Sequence, residues 1–168
     1  MTRVYIPATL GMLQRLVAEN ELDAVGRTAF AVTPTLREAY TSGDDEELAE
    51  VAMGEAARAS LRLLAAEDAG EESFGTRRVV VAADVDDATP RPDLDDAVVR
   101  LAGRVPMSAI ASVHVDLKDA EADVARAMEV VDEADMGDEE AEFVLGDAED
   151  HELAWYAAQE LPFLLELL

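Results

Sequence analysis

Three consecutive valines, Val79 to Val81, constrain the fold of this chain more than any other feature. They lie in an apolar segment, residues 78–85, in which polar and apolar side chains do not alternate. β-branched residues favour extended backbone, and a strand without alternation is typical of a sheet that is covered on both faces. The segment therefore predicts a buried strand within a sheet that has other elements packed against both of its faces.

Further strands and helices are predicted on either side of this segment. Thr9 and Thr33 each precede an apolar stretch with helical periodicity, and a threonine side chain in that position can cap a helix. The predicted strands are residues 2–6, 28–32, 78–85, 97–101 and 111–117. The predicted helices begin near residues 10, 34, 44, 119 and 148.

This order of elements predicts an α+β fold in which residues 1–168 form a single domain with a mixed sheet of about five strands packed with helices. The early strand–helix–strand units allow parallel pairing, whereas the closely spaced later strands favour antiparallel pairing. The last helix, residues 148–168, is expected to pack on this domain or on a partner.

Acidic residues are in large excess, with 38 acidic and 13 basic residues and a formal net charge of −25. This charge disfavours a nucleic-acid surface, because phosphate binding requires clustered Lys and Arg. No cysteine is present in the sequence, which excludes disulfides, thiolate metal ligands and a cysteine nucleophile. The first residues lack a signal-peptide stretch, and no apolar run approaches membrane length. We therefore expect a cytoplasmic protein that binds neither nucleic acid nor membrane.

The stretch from His151 to Trp155 resembles the start of a zinc-protease helix. An H-E-x-x-H motif needs a second histidine where this chain has Trp155, and an indole has no lone pair for a metal. The alternative is an ordinary helix N-terminus in which His151, Trp155 and Ala158 share one face. We predict that this face, with Phe163, is a packing or partner surface, and we favour internal packing over dimerisation.

A second pattern, S-x-H-x-D, is formed by Ser112, His114 and Asp116 in a predicted strand. Alternate residues of a strand project from one face, so these side chains would lie in a line. A catalytic triad requires the imidazole between nucleophile and carboxylate, and it is normally assembled from separate segments. We therefore predict no triad, and keep His114, Asp116 and His151 as weak candidates for a lone acid or base. The residues of this strand expected to contact the core are Val113, Val115 and Leu117.

Aspartates follow the valine strand at Asp84, Asp86 and Asp87. Asp84 and Asp86 form D-x-D after a hydrophobic strand, as in haloacid-dehalogenase-type phosphatases, but Ala88 replaces the Thr or Val of that pattern. A Ca²⁺ loop of the EF-hand type is excluded, because Thr89 stands where glycine is needed. The three aspartates are thus weak candidates for Mg²⁺ or Ca²⁺ ligands. The sequence has no glycine-rich phosphate loop, and no cofactor is predicted.

Short stretches distributed along the whole chain carry one resemblance. They are VYIPAT, TAFAVTP, RVVVAADV, SVHVD and EDHELAWYAAQELP. Together they resemble an uncharacterised family of small actinobacterial proteins of unknown function, most specifically in the C-terminal stretch. The resemblance implies a bacterial protein with a single domain, and it assigns no activity, substrate or catalytic residue.

Two functions from different classes follow from these patterns. The first is a non-enzymatic acidic interaction protein that binds a protein partner or a second copy of itself. The second is a small carboxylate-dependent hydrolase that uses residues 84–96 with His114 or His151. The sequence favours the first, because it lacks a cysteine, a phosphate loop and a cluster of metal ligands.

Overall fold

The computed structural model describes residues 1–40, 42–67 and 76–167. The strands are β1 (Thr2–Ala8), β2 (Glu21–Leu22), β3 (Thr28–Phe30), β4 (Val79–Val85), β5 (Ala88–Pro90), β6 (Val98–Leu101), β7 (Val105–Pro106), β8 (Ile110–Val115) and β9 (Ala154–Ala157). The helices are α1 (Leu10–Glu19), α2 (Pro34–Ala39), α3 (Asp45–Glu67), α4 (Glu121–Asp135), α5 (Glu139–Glu149) and α6 (Leu161–Leu167). The predicted α+β class is confirmed.

In the described part of the chain, the main sheet has seven strands in the order β5-β6-β3-β1-β4-β8-β9, and β2 pairs with β7 separately. Neighbouring strands of the main sheet are antiparallel, so the parallel pairings that the sequence allowed do not occur in it. Between α1 and β3 the chain forms β2 and a 3₁₀ turn. The prediction of about five strands missed β5 and β9, because strands of three and four residues show little periodicity.

Strand β4 lies inside the sheet, as its valine run predicts. Val79 and Val81 belong to the apolar cluster on the face covered by α1 and α6, whereas Val80 belongs to the cluster beneath α3 on the other face. All three side chains are fully buried. Both faces of the sheet are therefore covered at β4, and this explains why the strand has no polar positions at its start.

The predicted helix starts after Thr9 and Thr33 are also confirmed. Thr9 Oγ1 accepts a hydrogen bond from the Met12 N–H, and Thr33 Oγ1 accepts one from the Leu36 N–H. Pro34 occupies the first turn of α2, where its missing N–H leaves no helical hydrogen bond unmade. Local side-chain chemistry thus sets both helix starts.

Helix α3 joins the sheet to the pair formed by α4 and α5. Ser60 Oγ donates to the Ala8 carbonyl at 2.7 Å and accepts from the Val79 N–H at 2.9 Å, so one buried hydroxyl connects α3 with β1 and β4. Further along α3, Leu61 and Leu64 pack with α4 and α5 in a separate apolar cluster. The long helix therefore fixes the position of α4 and α5 relative to the sheet.

The C-terminal segment differs most from the prediction, which placed a helix over residues 148–168. Helix α5 instead ends at Glu149, β9 follows, and α6 begins only at Leu161. Pairing with β8 accounts for the difference, because Trp155 and Tyr156 have high strand propensity and the ladder satisfies backbone groups of this segment. Long-range pairing outweighs the helical periodicity of this segment.

Candidate functional site

A groove of about 680 Å³ is lined by the first half of α3, by His114 of β8 and by the segment that precedes β9. It contains both histidines of the chain, although they are far apart in the sequence. The charged and titratable residues that line it are Glu50, Glu55, Arg58, Arg78, His114, Glu149, His151 and Glu152. The fold therefore brings two of the predicted candidates, His114 and His151, to the same groove.

The third candidate, Asp116, forms a buried ion pair with Arg78. Its carboxylate accepts 2.8 Å hydrogen bonds from Arg78 Nε, from Arg78 Nη2 and from the Arg78 backbone N–H. The side chains of Arg78 and Asp116 are only 4% and 0% exposed. Arg78 Nη2 also donates to the His151 carbonyl at 3.0 Å. Asp116 therefore anchors the segment before β9, and its lone pairs are not available to a substrate.

Ser112 and His114 do contact one another. Ser112 Oγ lies 2.9 Å from His114 Nε2, and both side chains project from the α3 side of β8, as strand alternation predicts. Burial lowers the pKa of His114, and the nearby charge of Arg3 lowers it further. Since Asp116 is held by Arg78, the three side chains of S-x-H-x-D do not form a triad.

On the opposite face of β8 the core prediction is right for Val113 and Val115 and wrong for Leu117. Val113 and Val115 are buried under α1 and α6. Leu117 is exposed, because β8 ends at Val115 and the alternation ends with it.

His151 has a different partner from His114. Its Nε2 lies 2.8 Å from Asp123 Oδ2, and Asp123 also pairs with Arg126. Within residues 1–40, 42–67 and 76–167 there is no group of three His, Cys, Asp or Glu side chains arranged to hold a metal ion. His151 thus connects the segment before β9 to α4.

The predicted aspartate site is separated from the histidines. Arg3 donates to both carboxylate oxygens of Asp84, at 2.8 and 3.1 Å, and this hydrogen bonding lowers the pKa of Asp84. His114 is opposite Val80 in the sheet, and Asp84 lies four residues beyond Val80 along β4. At a rise of about 3.3 Å per residue, that offset is roughly 13 Å.

Asp86 and Asp87 line a separate hollow of about 240 Å³ together with Asp84 and Arg104. The structure therefore does not bring residues of the 84–96 loop into the groove that holds His114 and His151.

Strand β9 forms one edge of the main sheet, and Trp155 lies on it. Trp155 is opposite His114 in the ladder, so its indole is on the α3 side of the sheet, and it is 62% exposed. The Ala157 N–H donates to Glu160 Oε1 at 3.0 Å instead of to β8. Because antiparallel backbone groups alternate between the two sides of a strand, the N–H and C=O of Trp155 also point away from β8. In the described part of the chain, no strand pairs with that side of β9.

The opposite edge of the sheet is better protected. Strand β5 has three residues and ends at Pro90, which has no N–H to offer to an added strand. Strand β9 has the sequence Ala-Trp-Tyr-Ala, without proline or charge, and natural edge strands usually carry one of these protections. Of the two sheet edges formed by the described strands, the edge at β9 is therefore the one that is open to strand addition.

Carboxylates surround this open edge. Glu149, Asp150 and Glu152 precede β9, and Glu160 follows it. Burial raises the pKa of Glu55 on the α3 side of the groove, and the negative charge of Asp95 raises it further.

The groove also has an excess of negative charge. Its arginines are already neutralised, Arg78 by Asp116 and Arg58 by Asp135 and Glu142. The groove carboxylates without an ion pair among the described residues are Glu50, Glu55, Glu149 and Glu152.

The residues predicted to share one surface are separated by the strand. His151 bonds to Asp123, Trp155 projects from the α3 side of the sheet, and Ala158 packs against the core cluster on the opposite side. Phe163 is 69% exposed on α6. The adjacent aromatic pair at positions 155 and 156 is the one local signal that favoured a strand here.

Comparisons with known proteins give a family and no activity. No curated protein and no solved structure gave a significant match to the chain. Among the helices of the described residues, none has the length and apolar character needed to cross a membrane. The resemblance to a family of unknown function is confirmed, while an actinobacterial origin stays a prediction. A family model matches residues 2–165, and the chain therefore belongs to DUF6912, a family of unknown function.

Proposed function

We propose that this protein is a non-enzymatic, acidic, cytoplasmic interaction protein, and that a protein partner contacts it at Trp155 on β9. One observation carries the proposal. No strand among the described residues covers the outer side of the uncharged strand β9, and its tryptophan, the only one in the sequence, is 62% exposed. Tryptophan is among the residues most often found to dominate binding energy at protein interfaces.

The alternative, a carboxylate-dependent hydrolase, has less support. In the proposed hydrolase, the catalytic carboxylates and histidine would have to lie within hydrogen-bonding reach of one reacting group of the substrate. Asp84 and Asp116 are instead engaged by Arg3 and Arg78. His151 is paired with Asp123 on α4. The Ser112–His114 contact remains. Among the described residues, no acidic group forms a hydrogen bond with His114 that would orient its imidazole.

The net charge of −25 also supports a protein partner over nucleic acid or an anionic membrane. Both of these ligands present negative charge and attract basic surfaces. A second copy of the chain is the other protein partner that the same edge could accept.

The proposal is tested by photo-crosslinking in the cells that express the protein. A photoreactive benzoylphenylalanine replaces Trp155 in one variant and Phe143 in a matched control variant, because Phe143 is 79% exposed and lies on α5, not on the edge strand. We expect discrete crosslinked protein adducts from position 155 that are absent from position 143, since only the first position lies on the open edge.

Two outcomes of this experiment would contradict the proposal. One is the absence of any protein adduct at position 155. The other is the same set of adducts at both positions, which would mean random collisions. An adduct of twice the chain mass, specific to position 155, would identify the partner as a second copy.

A further inference from the structure

We infer that β9 accepts an extended, basic segment of the partner protein as an additional strand of the main sheet. The inference rests on the proposed function and adds the mode of binding and the chemistry of the partner. Strand addition uses the outward backbone groups of an edge for affinity and the alternating side chains for specificity.

The backbone at the centre of β9 is arranged for this pairing. Ala154 and Tyr156 are opposite Val115 and Val113, and their backbone groups point toward β8. The N–H and C=O of Trp155 point outward. The Ala157 N–H points to the same side, and it already donates a hydrogen bond to Glu160 Oε1. An added strand would therefore form its central pair of backbone hydrogen bonds with Trp155.

The negative charge around the edge at β9 favours a basic partner strand. Glu149, Asp150 and Glu152 lie just before the strand and Glu160 just after it, and the groove on the α3 side adds Glu50 and Glu55. The arginines of the groove are neutralised by other carboxylates. Lys or Arg side chains on an added strand would meet this excess of negative charge. An arginine beside the Trp155 indole would also gain a cation–π contact.

A second copy of the chain is disfavoured at the same edge. If two copies of β9 paired antiparallel about Trp155, the carboxylates before the strand in one copy, Asp150 and Glu152, would be brought to the same end as Glu160 of the other copy. Each copy also carries a net charge of −25. Like charges placed opposite each other destabilise a strand pair.

Side-chain alternation in the added strand gives its expected pattern. Residues on the α3 side would lie beside Trp155 and the acidic groove, and these should be basic. Residues on the other side would lie beside Tyr156, which packs partly against the core, and these should be apolar. The predicted recognition sequence is therefore an alternation of basic and apolar residues without proline.

The probe is a labelled peptide of alternating arginine and valine, added to the full-length protein at about 150 mM NaCl, where the Debye length is about 8 Å. Binding is followed by peptide fluorescence anisotropy, and the Trp155 amide is followed by hydrogen exchange. We expect saturable binding that protects the Trp155 amide. A peptide with glutamate in place of arginine should not bind, and neither should an arginine–valine peptide with N-methylated backbone amides, which keeps the charge but cannot pair.

Two variants at one position separate the backbone from the indole. Trp155→Ala removes the indole and keeps the outward N–H. Trp155→Pro removes both, and it breaks no hydrogen bond to β8 because this N–H points away from that strand. We expect the proline variant to bind the arginine–valine peptide at least about tenfold more weakly than the alanine variant, a difference of about 1.4 kcal/mol. A protected Tyr156 amide in the proline variant would show that β9 remains paired with β8.

Equal binding of the N-methylated and unmethylated peptides would overturn strand addition, and so would equal affinity of the alanine and proline variants. Equal binding of the glutamate peptide would overturn the basic partner. If the proline variant loses β9, the N-methylated peptide decides the question with the unaltered protein. Specific crosslinking at position 155 combined with any of these results would leave the proposed function standing and reject only this inference.

Discussion

Replacing Asp116 with alanine is expected to lower the free energy of unfolding by about 3–5 kcal/mol, because the substitution leaves the Arg78 guanidinium charged, buried and unpaired. Both side chains are almost fully buried, and the carboxylate accepts three hydrogen bonds from Arg78. For a chain of this length, the change corresponds to a fall in Tm of roughly 6–20 °C. Denaturant unfolding followed by circular dichroism measures it.

A double variant distinguishes loss of the ion pair from general damage. Arg78→Met combined with Asp116→Leu removes both charges and keeps apolar volume, so it should be more stable than Asp116→Ala. The matched surface control is Asp93→Ala, which removes an exposed pair with Arg91 and should leave the unfolding midpoint nearly unchanged. A loss of less than about 1 kcal/mol for Asp116→Ala would show that the pair does not hold the segment before β9.

Truncating Leu161 to alanine is expected to cost about 2–5 kcal/mol, because it removes a fully buried side chain at the start of α6 and leaves a cavity. Leu161 belongs to the apolar cluster shared with α1 and the sheet, so it fixes the chain that leaves β9. The free energy of unfolding from urea titration measures this cost.

The control for Leu161→Ala lies two residues further along the same helix. Phe163 is 69% exposed, and Phe163→Ala should change stability by no more than about 0.5 kcal/mol. Equal costs for the two variants would mean that α6 does not pack on the core through Leu161.

The buried strand and the helix starts could be predicted because the information is local. A run of valines has few alternatives to a strand covered on both faces, and β4 confirms it. Thr9 and Thr33 cap helices through hydrogen bonds to residues three positions away. Such contacts depend little on the remainder of the chain.

The open edge could not be predicted, because it depends on a partner strand far away in the sequence. Residues 149–161 have a helical spacing of apolar residues, and pairing of Trp155 with His114 outweighs it. The ion pair between Asp116 and Arg78 could not be predicted either, because the two residues are 38 positions apart in the sequence. The sequence pointed to His114, His151 and Trp155 as notable residues, but their separate roles appear only when the strands are paired.

The central claim is that β9 presents an unpaired backbone at Trp155, and hydrogen exchange of single amides in the free protein tests it most directly. Trp155 and Tyr156 are neighbours in one strand, so differences in global stability cancel between them. The predicted result is slow exchange of the Tyr156 amide, which bonds to β8, and exchange of the Trp155 amide near the rate of an unprotected backbone. Equal, strong protection of both amides would contradict the claim, because it would mean that the outer side of β9 is already covered.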